Sequence, residues 1–571
     1  MTWRKALLFG LTLLPASASL SIRWSAAAPQ ATAAEKAEPA EAEAEAEAEP
    51  GAGEPGEPGE GDPKATTGAR PVAAAPSDPA ERKRWLTREL DAVIAAHPRL
   101  INAKISAAAA EISSGATLWQ HGGAERMSLA STTKLFTSVA ALRALGAGYV
   151  WRTALYGSER AGAEPAELTD DTLEALYLRG RGDPTLEYPA LQALARDLAA
   201  LGVRRIRKEL VLDATFFDRD VEPPHFAEQP KELAAFRAPV SALSLSRNAI
   251  TLILTPDPKG GAPQVRLDPP IPEYVKVNTD ELVATERGRT RVRVELAPEA
   301  AKQRRKRGAT LELRVRGQLA TGGGPVYRRL RVDDPAAFLG AALRAALAEQ
   351  RIRAPDRVTV AAVPATARVL VGFDSPTLGE VVRRMNKTSD NFLAEVVFKT
   401  LGAERRAQPG PGTWADGAAA LGELLASLPK PLRVDNGSGL FDASEASAAQ
   451  LVALLLLAHR DFRVAPDLLA SLPIGGVDGT LRSRFTGRPA EGLVRAKTGT
   501  LAKVSALAGY VGADSSRLLA FAILLNELTP AQRGEARLLQ EDLVDVLARY
   551  HVVPATPPAP AAPGAKSGTA R

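Results

Sequence analysis

The chain has 571 residues and 45% hydrophobic content, enough for several domains with a sizeable core. It has no cysteine, which excludes a disulfide framework and all thiolate chemistry. The five histidines (His97, His121, His225, His459 and His551) lie neither at metal-ligand spacing nor beside a G-x-S-x-G turn, so no metal, cofactor or histidine-based triad is expected, and the formal net charge of +6 suits anionic surroundings without naming a partner.

Arg4 and Lys5 precede a short apolar run, Ala6 to Leu14, with small-residue clusters at Ala16–Ala18 and Ala26–Ala28. Residues 1–28 therefore read as a signal peptide, the run being too short to span a bilayer; an uncleaved anchor is the alternative. Residues 29–80 read as a disordered acidic linker. Between Glu35 and Asp62 stand eleven acids and one lysine, a composition that cannot bury apolar surface. A solvated linker is the plain reading, and a tether to the envelope is the sharper one.

From Glu81 to Ala96, Trp85, Leu86, Leu90, Val93 and Ile94 form the apolar stripe of a helix. Ile101–Glu111 and Ala116–Trp119 flank Ser113-Ser114-Gly115 as a strand–turn–strand pattern. The next stretch, Ser128 to Leu142, runs from loop into helix with Leu135, Val139 and Leu142 at helical spacing. Ser131 and Lys134 are three apart and share one face. A serine hydroxyl is a poor nucleophile until a base takes its proton, and a lysine one turn on can be that base if its pKa is lowered. The helix start also favours developing negative charge. Taken alone, the pattern is weak and occurs by chance in most long chains, and its plain reading is an N-cap serine with a solvated lysine.

Residues 81–149 form the first part of one domain, and 373–552 resume it. Between them, 150–247 and 319–372 read as a mixed α/β insertion enclosing a nested β domain, 248–318. In the insertion, Gly180-Arg181-Gly182-Asp183-Pro184 reads as a structural turn rather than an adhesion motif. The basic run Lys302–Arg307 reads as a hairpin tip; no aromatic residues interleave with it, so nucleic acid is not an expected partner. Beyond the insertion come Ser389-Asp390-Asn391 opening a helix, a turn at Val434–Leu440, and a helix from Ser444 to Leu457 with Ser444 as its cap. Lys497-Thr498-Gly499-Thr500 precedes paired strands 505–511 and 518–525, a helix over 535–550 closes the domain, and the Pro-Ala-rich tail 553–571 reads as disordered.

S-x-x-K, S-D-N and K-T-G in this order are together the signature of penicillin-binding proteins and class A β-lactamases. From about residue 85 to 550 the chain resembles the class C low-molecular-mass penicillin-binding proteins, the D-alanyl-D-alanine carboxypeptidase/endopeptidase family of serine peptidases. The likeness is carried by SLASTTKLFT, GRGDPTL, LSLSRNAI, MNKTSDNFLAE, DNGSGL, LPIGGVDGTL and RAKTGTLAKVSALAGYV. It implies an α/β (α+β) fold: an antiparallel sheet flanked by helices, with inserted mixed and all-β domains between S-x-x-K and S-D-N. It also implies a periplasmic enzyme, free or membrane-associated, that cleaves peptidoglycan stem peptides and is acylated by β-lactam antibiotics, with no stable transmembrane segment in the mature chain.

By the same resemblance, Ser131 would attack the carbonyl between the two terminal D-alanines and Lys134 would deprotonate it. Ser389 would relay a proton to the leaving amine, with Lys497 keeping Lys134 partly neutral. Asn391 would hold the peptide amide and Lys134. Thr498 with Lys497 would bind the terminal carboxylate in the Thr498-Gly499-Thr500 segment, and the N–H groups of Ser131 and Thr500 would form the oxyanion hole. Asp390 reads as a helix cap. One departure stands out: the family often follows Ser-Gly-Leu with Ser-Arg, whereas here Ser438-Gly439-Leu440 is followed by Phe441-Asp442, with Ala502-Lys503 after K-T-G-T-Leu. Asp442 would repel a carboxylate, which bears on side-chain selectivity and not on acyl transfer. A serine β-lactamase is the alternative enzyme, and a catalytically silent envelope-binding protein is the alternative of another class.

Overall fold

The computed structural model describes residues 75–158, 171–226, 233–286, 288–297, 310–513 and 518–550, together with the backbone of 24–26. The rest of the expected signal peptide, most of the acidic linker, the basic run Lys302–Arg307 and the tail 553–571 lie outside the described residues.

A five-stranded antiparallel sheet joins strands from the first and last parts of the chain. Its order is Val494–Leu501, Val504–Val511, Leu519–Asn526, Lys104–Glu111 and Thr117–His121. Alternation sorts the side chains by size as well as by face. Leu519, Phe521, Ile523 and Leu525 join one core, and Ala520, Ala522 and Leu524 join the other. The bulky face is covered by the terminal helices Pro79–Ala95 and Arg533–Arg549, through Trp85, Leu86, Leu90 and Val93 and through Leu539, Leu543 and Val546. The first of these helices is capped by Asp78, whose side chain accepts from Glu81 N at 2.8 Å, with Pro79 in its first turn. The alanine face lets helix Ala448–Arg460 approach closely.

Helix Thr133–Leu145 lies inside the second core, with every residue from Thr133 to Leu142 buried. It packs against Leu378–Thr388, Asn391–Arg405 and Trp414–Leu424. Each fully buried Leu or Phe in this core contributes about 1.5–3 kcal/mol. The sequence places the cap of the next helix at Ser444. In the structure Ser444–Ala446 is instead a short strand between Arg433–Val434 and Met127–Ser128, and Ser447 caps the helix in a box with Gln450. Pairing to the strand that leads into Ser131 takes Ser444 out of the helix.

The insertion is built on a six-stranded sheet. Its order is Trp24–Ala26, Arg368–Asp374, Arg152–Ser158, Thr172–Arg179, Arg205–Asp213 and Val358–Val360. Helices Tyr188–Ala200 and Pro335–Glu349 share its core. Two three-stranded sheets follow, one of Val275–Thr285, Leu311–Ala320 and Arg291–Leu296, the other of Val326–Arg331, Ala249–Thr255 and Gln264–Asp268. The β texture thus continues to Arg331. In the Gly180–Pro184 turn, buried Asp183 accepts from Thr185 N at 2.8 Å and Thr185 Oγ1 at 2.7 Å, while Arg181 donates to Glu404 at 2.9 Å, so both side chains are engaged within the fold.

Candidate active site

Ser131 lies in the 3-10 turn Ala130–Thr132, immediately ahead of the buried helix that carries Lys134. The turn is fixed from outside. Ala130 has φ 45°, and Gly439 is pressed against it: a Cβ at Gly439 would stand 2.0 Å from the Ala130 carbonyl oxygen and 2.4 Å from Thr133 Oγ1. Gly439 itself has φ 78°, so glycine is required there on both counts. On the other side, a Cβ at Gly499 would lie 2.8 Å from the Leu129 carbonyl and 3.1 Å from Ser131 N. The K-T-G strand therefore runs directly over the turn that carries Ser131.

Lys134 is completely buried. Its Nζ donates to Ser131 Oγ at 2.8 Å, Asn391 Oδ1 at 2.7 Å and the Ser438 carbonyl at 3.2 Å. Burial lowers its pKa from 10.5 to about 7, against the opposing pull of Glu395 and Asp390. Burial, not the Lys497 charge expected from the sequence, is the largest cause. Lys497, also fully buried, makes a second serine–lysine pair: its Nζ donates to Ser389 Oγ at 2.7 Å and to the Thr498 carbonyl at 2.9 Å.

Ser389 and Asn391 reach the same cleft because the chain turns sharply between two helices. Ser389, with φ 59°, ends Leu378–Thr388, and Asp390 begins Asn391–Arg405 by accepting from Leu393 N at 3.0 Å. Asp390 is thus the cap that the sequence suggested. The sequence did not reveal its second partner, Arg247 of the insertion, at 2.8 Å.

Glu395 was also missed. It lies one turn beyond Asn391 on the same helix face and is 1% exposed. It accepts from Gly437 N at 3.0 Å, Ser438 N at 2.9 Å and Trp414 Nε1 at 3.0 Å. This holds the loop whose Ser438 carbonyl faces Lys134. An acid inside an apolar helical run (Phe392-Leu-Ala-Glu395-Val-Val) is the signal that could have found it.

Thr498 Oγ1 lies 2.8 Å from Thr480 Oγ1, a hydroxyl not singled out from the sequence. The loop carrying Thr480 is pinned by Asp478, which accepts from Lys387 Nζ at 2.6 Å and from Ile474 N at 2.8 Å. Thr498, Gly499 and Thr500 lie together along one wall of the site. Asp442 lies on the exposed rim. Ser128 Oγ donates to its carboxylate, and Arg433 donates to its carbonyl at 3.1 Å. Phe441 turns inward against Phe226 and the buried Arg237. Among the described residues, no group of three or more His, Asp or Glu side chains could hold a metal ion. Two serine hydroxyls, each hydrogen-bonded to a buried lysine, with backbone N–H groups at a helix start, are equipped for acyl transfer.

Residues 86–550 match the family model described as D-Ala-D-Ala carboxypeptidase 3 (S13). A D-alanyl-D-alanine carboxypeptidase of Actinomadura sp. (strain R39) is 33% identical over 508 residues, 86% of this chain and 88% of that protein. D-alanyl-D-alanine carboxypeptidase DacB of Haemophilus influenzae is 25% identical over 416 residues, 71% of this chain and 82% of that protein. The crystal structure of penicillin binding protein 4 from Haemophilus influenzae has the same fold, with a TM-score of 0.64 at 22% identity, over 77% of this chain and 95% of that one.

Proposed function

Since this chain belongs to the D-Ala-D-Ala carboxypeptidase 3 (S13) family, a family of serine-type hydrolases, we propose that it removes the terminal D-alanine of peptidoglycan stem peptides through an acyl-enzyme on Ser131. Lys134 takes the Ser131 proton as Oγ attacks the carbonyl carbon of the penultimate D-alanine. The oxyanion lies between the N–H groups of Ser131 and Thr500, the kind of donor whose single loss costs roughly 10²–10³ in kcat. The C–N bond then breaks. Ser389 passes a proton to the departing amine and is resupplied from Lys497. Water then attacks the ester carbonyl and gives up its proton through Ser389 to Lys497, while Lys134 returns the first proton to Ser131 as the ester C–O bond breaks. Thr498, Thr480 and Lys497 receive the substrate's terminal carboxylate.

The observation that carries this reading is the 2.8 Å contact between Ser131 Oγ and an amine that burial brings to about 7. A base of that pKa is matched to work near neutral pH. The ring-opening of a β-lactam uses the same attack, so penicillins acylate Ser131. The leader-like sequence of residues 1–28 supports a periplasmic site of action. Asp442, on the rim beside Ser128, reads the side chain at the third position of the stem peptide and disfavours a free carboxylate there.

The test is D-alanine release from an acylated L-Lys-D-Ala-D-Ala peptide. Wild type is expected to release it, and Ser131→Ala and Ser389→Ala to lose at least a hundredfold in rate. No release by wild type, or undiminished release by Ser131→Ala, overturns the reading.

A further inference from the structure

We propose that Arg247, supplied by the insertion, is a positioning residue for acyl transfer: it holds the Asp390 carboxylate in the turn between Ser389 and Asn391 and balances that charge beside Lys134. The inference rests on the reading of Ser131 and Lys134 as nucleophile and base.

Asp390 is clamped from two directions. One oxygen caps helix Asn391–Arg405 at Leu393 N, 3.0 Å away, and the other receives Arg247 at 2.8 Å, with both side chains only 12% exposed. The residues on either side of Asp390 are Ser389, paired with Lys497, and Asn391, paired with Lys134. Any movement of Asp390 therefore moves both serine–lysine pairs.

The arginine is presented at conformational cost. Ser246, Arg247 and Asn248 have φ of 49°, 60° and 49°, three successive non-glycine residues in the left-handed region. The surroundings enforce this turn. The Asn248 side-chain amide donates to the Pro239 carbonyl at 2.7 Å and Ser244 Oγ at 2.8 Å, and Ser246 Oγ donates to Glu187 at 2.6 Å. A strained turn fixed this firmly and aimed at the S-D-N segment places the arginine to serve that segment.

The charges around Lys134 give the pairing a second effect. Helix Asn391–Arg405 and its cap bring Glu395 and Asp390, the charges that act on Lys134; the Gly437–Ser438 loop brings only a carbonyl, and Lys497 of the K-T-G strand is paired with Ser389. Both acids favour the protonated amine and oppose its use as a base. Burial pushes Asp390 up, and Arg247 and Arg329, both from the insertion, bring it down to about 2, so it is ionised throughout the working range. Its charge beside Lys134 is tolerable because Arg247 offsets it.

The experiment is the rate of acylation by a fluorescent penicillin between about pH 5 and pH 9, for wild type, Arg247→Gln and Arg247→Lys. Wild type is expected to gain rate through about pH 7. Arg247→Gln should be slower, with that rise displaced upward by about half to one pH unit, and Arg247→Lys should restore its position. A slower Arg247→Gln with an unmoved profile would mark the arginine as structural only and overturn the proposal, as would an unchanged rate. If Arg247→Gln does not fold, Asp390→Asn takes its place: removing the acid must displace the rise downward, and an unmoved rise contradicts the proposal. Absence of labelling in wild type would instead overturn the underlying reading, and this inference with it.

Discussion

Glu395 receives the backbone N–H of Ser438 at 2.9 Å, and the carbonyl of the same Ser438 receives the amine of Lys134 at 3.2 Å. A buried carboxylate therefore sets, through one residue, the direction of a carbonyl that holds the Lys134 amine.

Glu395→Gln tests this link. The carboxylate accepts three N–H donors; an amide would turn one acceptor into a donor facing an N–H. The expected cost is about 1–3 kcal/mol of stability, seen as a lower thermal unfolding midpoint. Acylation should slow roughly 10–100-fold as the Ser438 carbonyl shifts away from Lys134. Full acylation rate in a variant of lowered stability would separate Glu395 from the site.

Lys134→Arg keeps the positive charge but cannot supply a neutral base, because a guanidinium stays protonated. Acylation is expected to collapse, and an arginine variant nearly as fast as wild type would remove Lys134 as base. In wild type, kcat/KM should rise with pH through about 7, where Lys134 loses its proton. The sign of the stability effect follows from linkage. The folded pKa is depressed, so between about 7 and 10.5 the unfolded chain holds a proton that folded Lys134 has lost, and this residue alone makes stability rise with pH in that window.

The rim residue Asp442 bears on selectivity. Two like charges at about 4 Å repel by roughly 1 kcal/mol in water and about 4 kcal/mol at an effective dielectric of 20. That is about one to three decades in kcat/KM. Peptides with lysine or amidated diaminopimelate at the third position should be cleaved faster than those with the free acid, and Asp442→Arg should reverse the order. Equal selectivity in wild type and variant would mean that Asp442 plays no part in reading that side chain.

Much of this site was legible in the sequence because local rules write it. The stripe of Trp85, Leu86, Leu90 and Val93 is a 3.6-residue period, and Asp390 occupies a cap position three residues before the N–H it receives. The three short motifs place Ser131, Lys134, Ser389, Asn391 and Lys497 in one cleft. What could not be read depends on the tertiary fold. Arg247 is 143 residues from Asp390 in the chain, and Thr480 meets Thr498 from a loop that Asp478 pins. Ser447, with Gln450 three residues on, carries the local capping-box signature that Ser444 lacks, and pairing with Met127–Ser128 draws Ser444–Ala446 into a strand. The lowered pKa of Lys134 has the same origin, since burial is a property of the assembled core.

The central claim, that Ser131 is the nucleophile, is tested most directly by labelling the intact protein with a fluorescent penicillin and locating the adduct by peptide mass spectrometry. The account expects one adduct, on the peptide containing Ser131, and no labelling of Ser131→Ala. That variant should remain folded, since the Ser131 hydroxyl caps no helix N–H and its loss removes one hydrogen bond from Lys134, worth about 0.5–1.5 kcal/mol. An adduct on another residue, or undiminished labelling of folded Ser131→Ala, would contradict it.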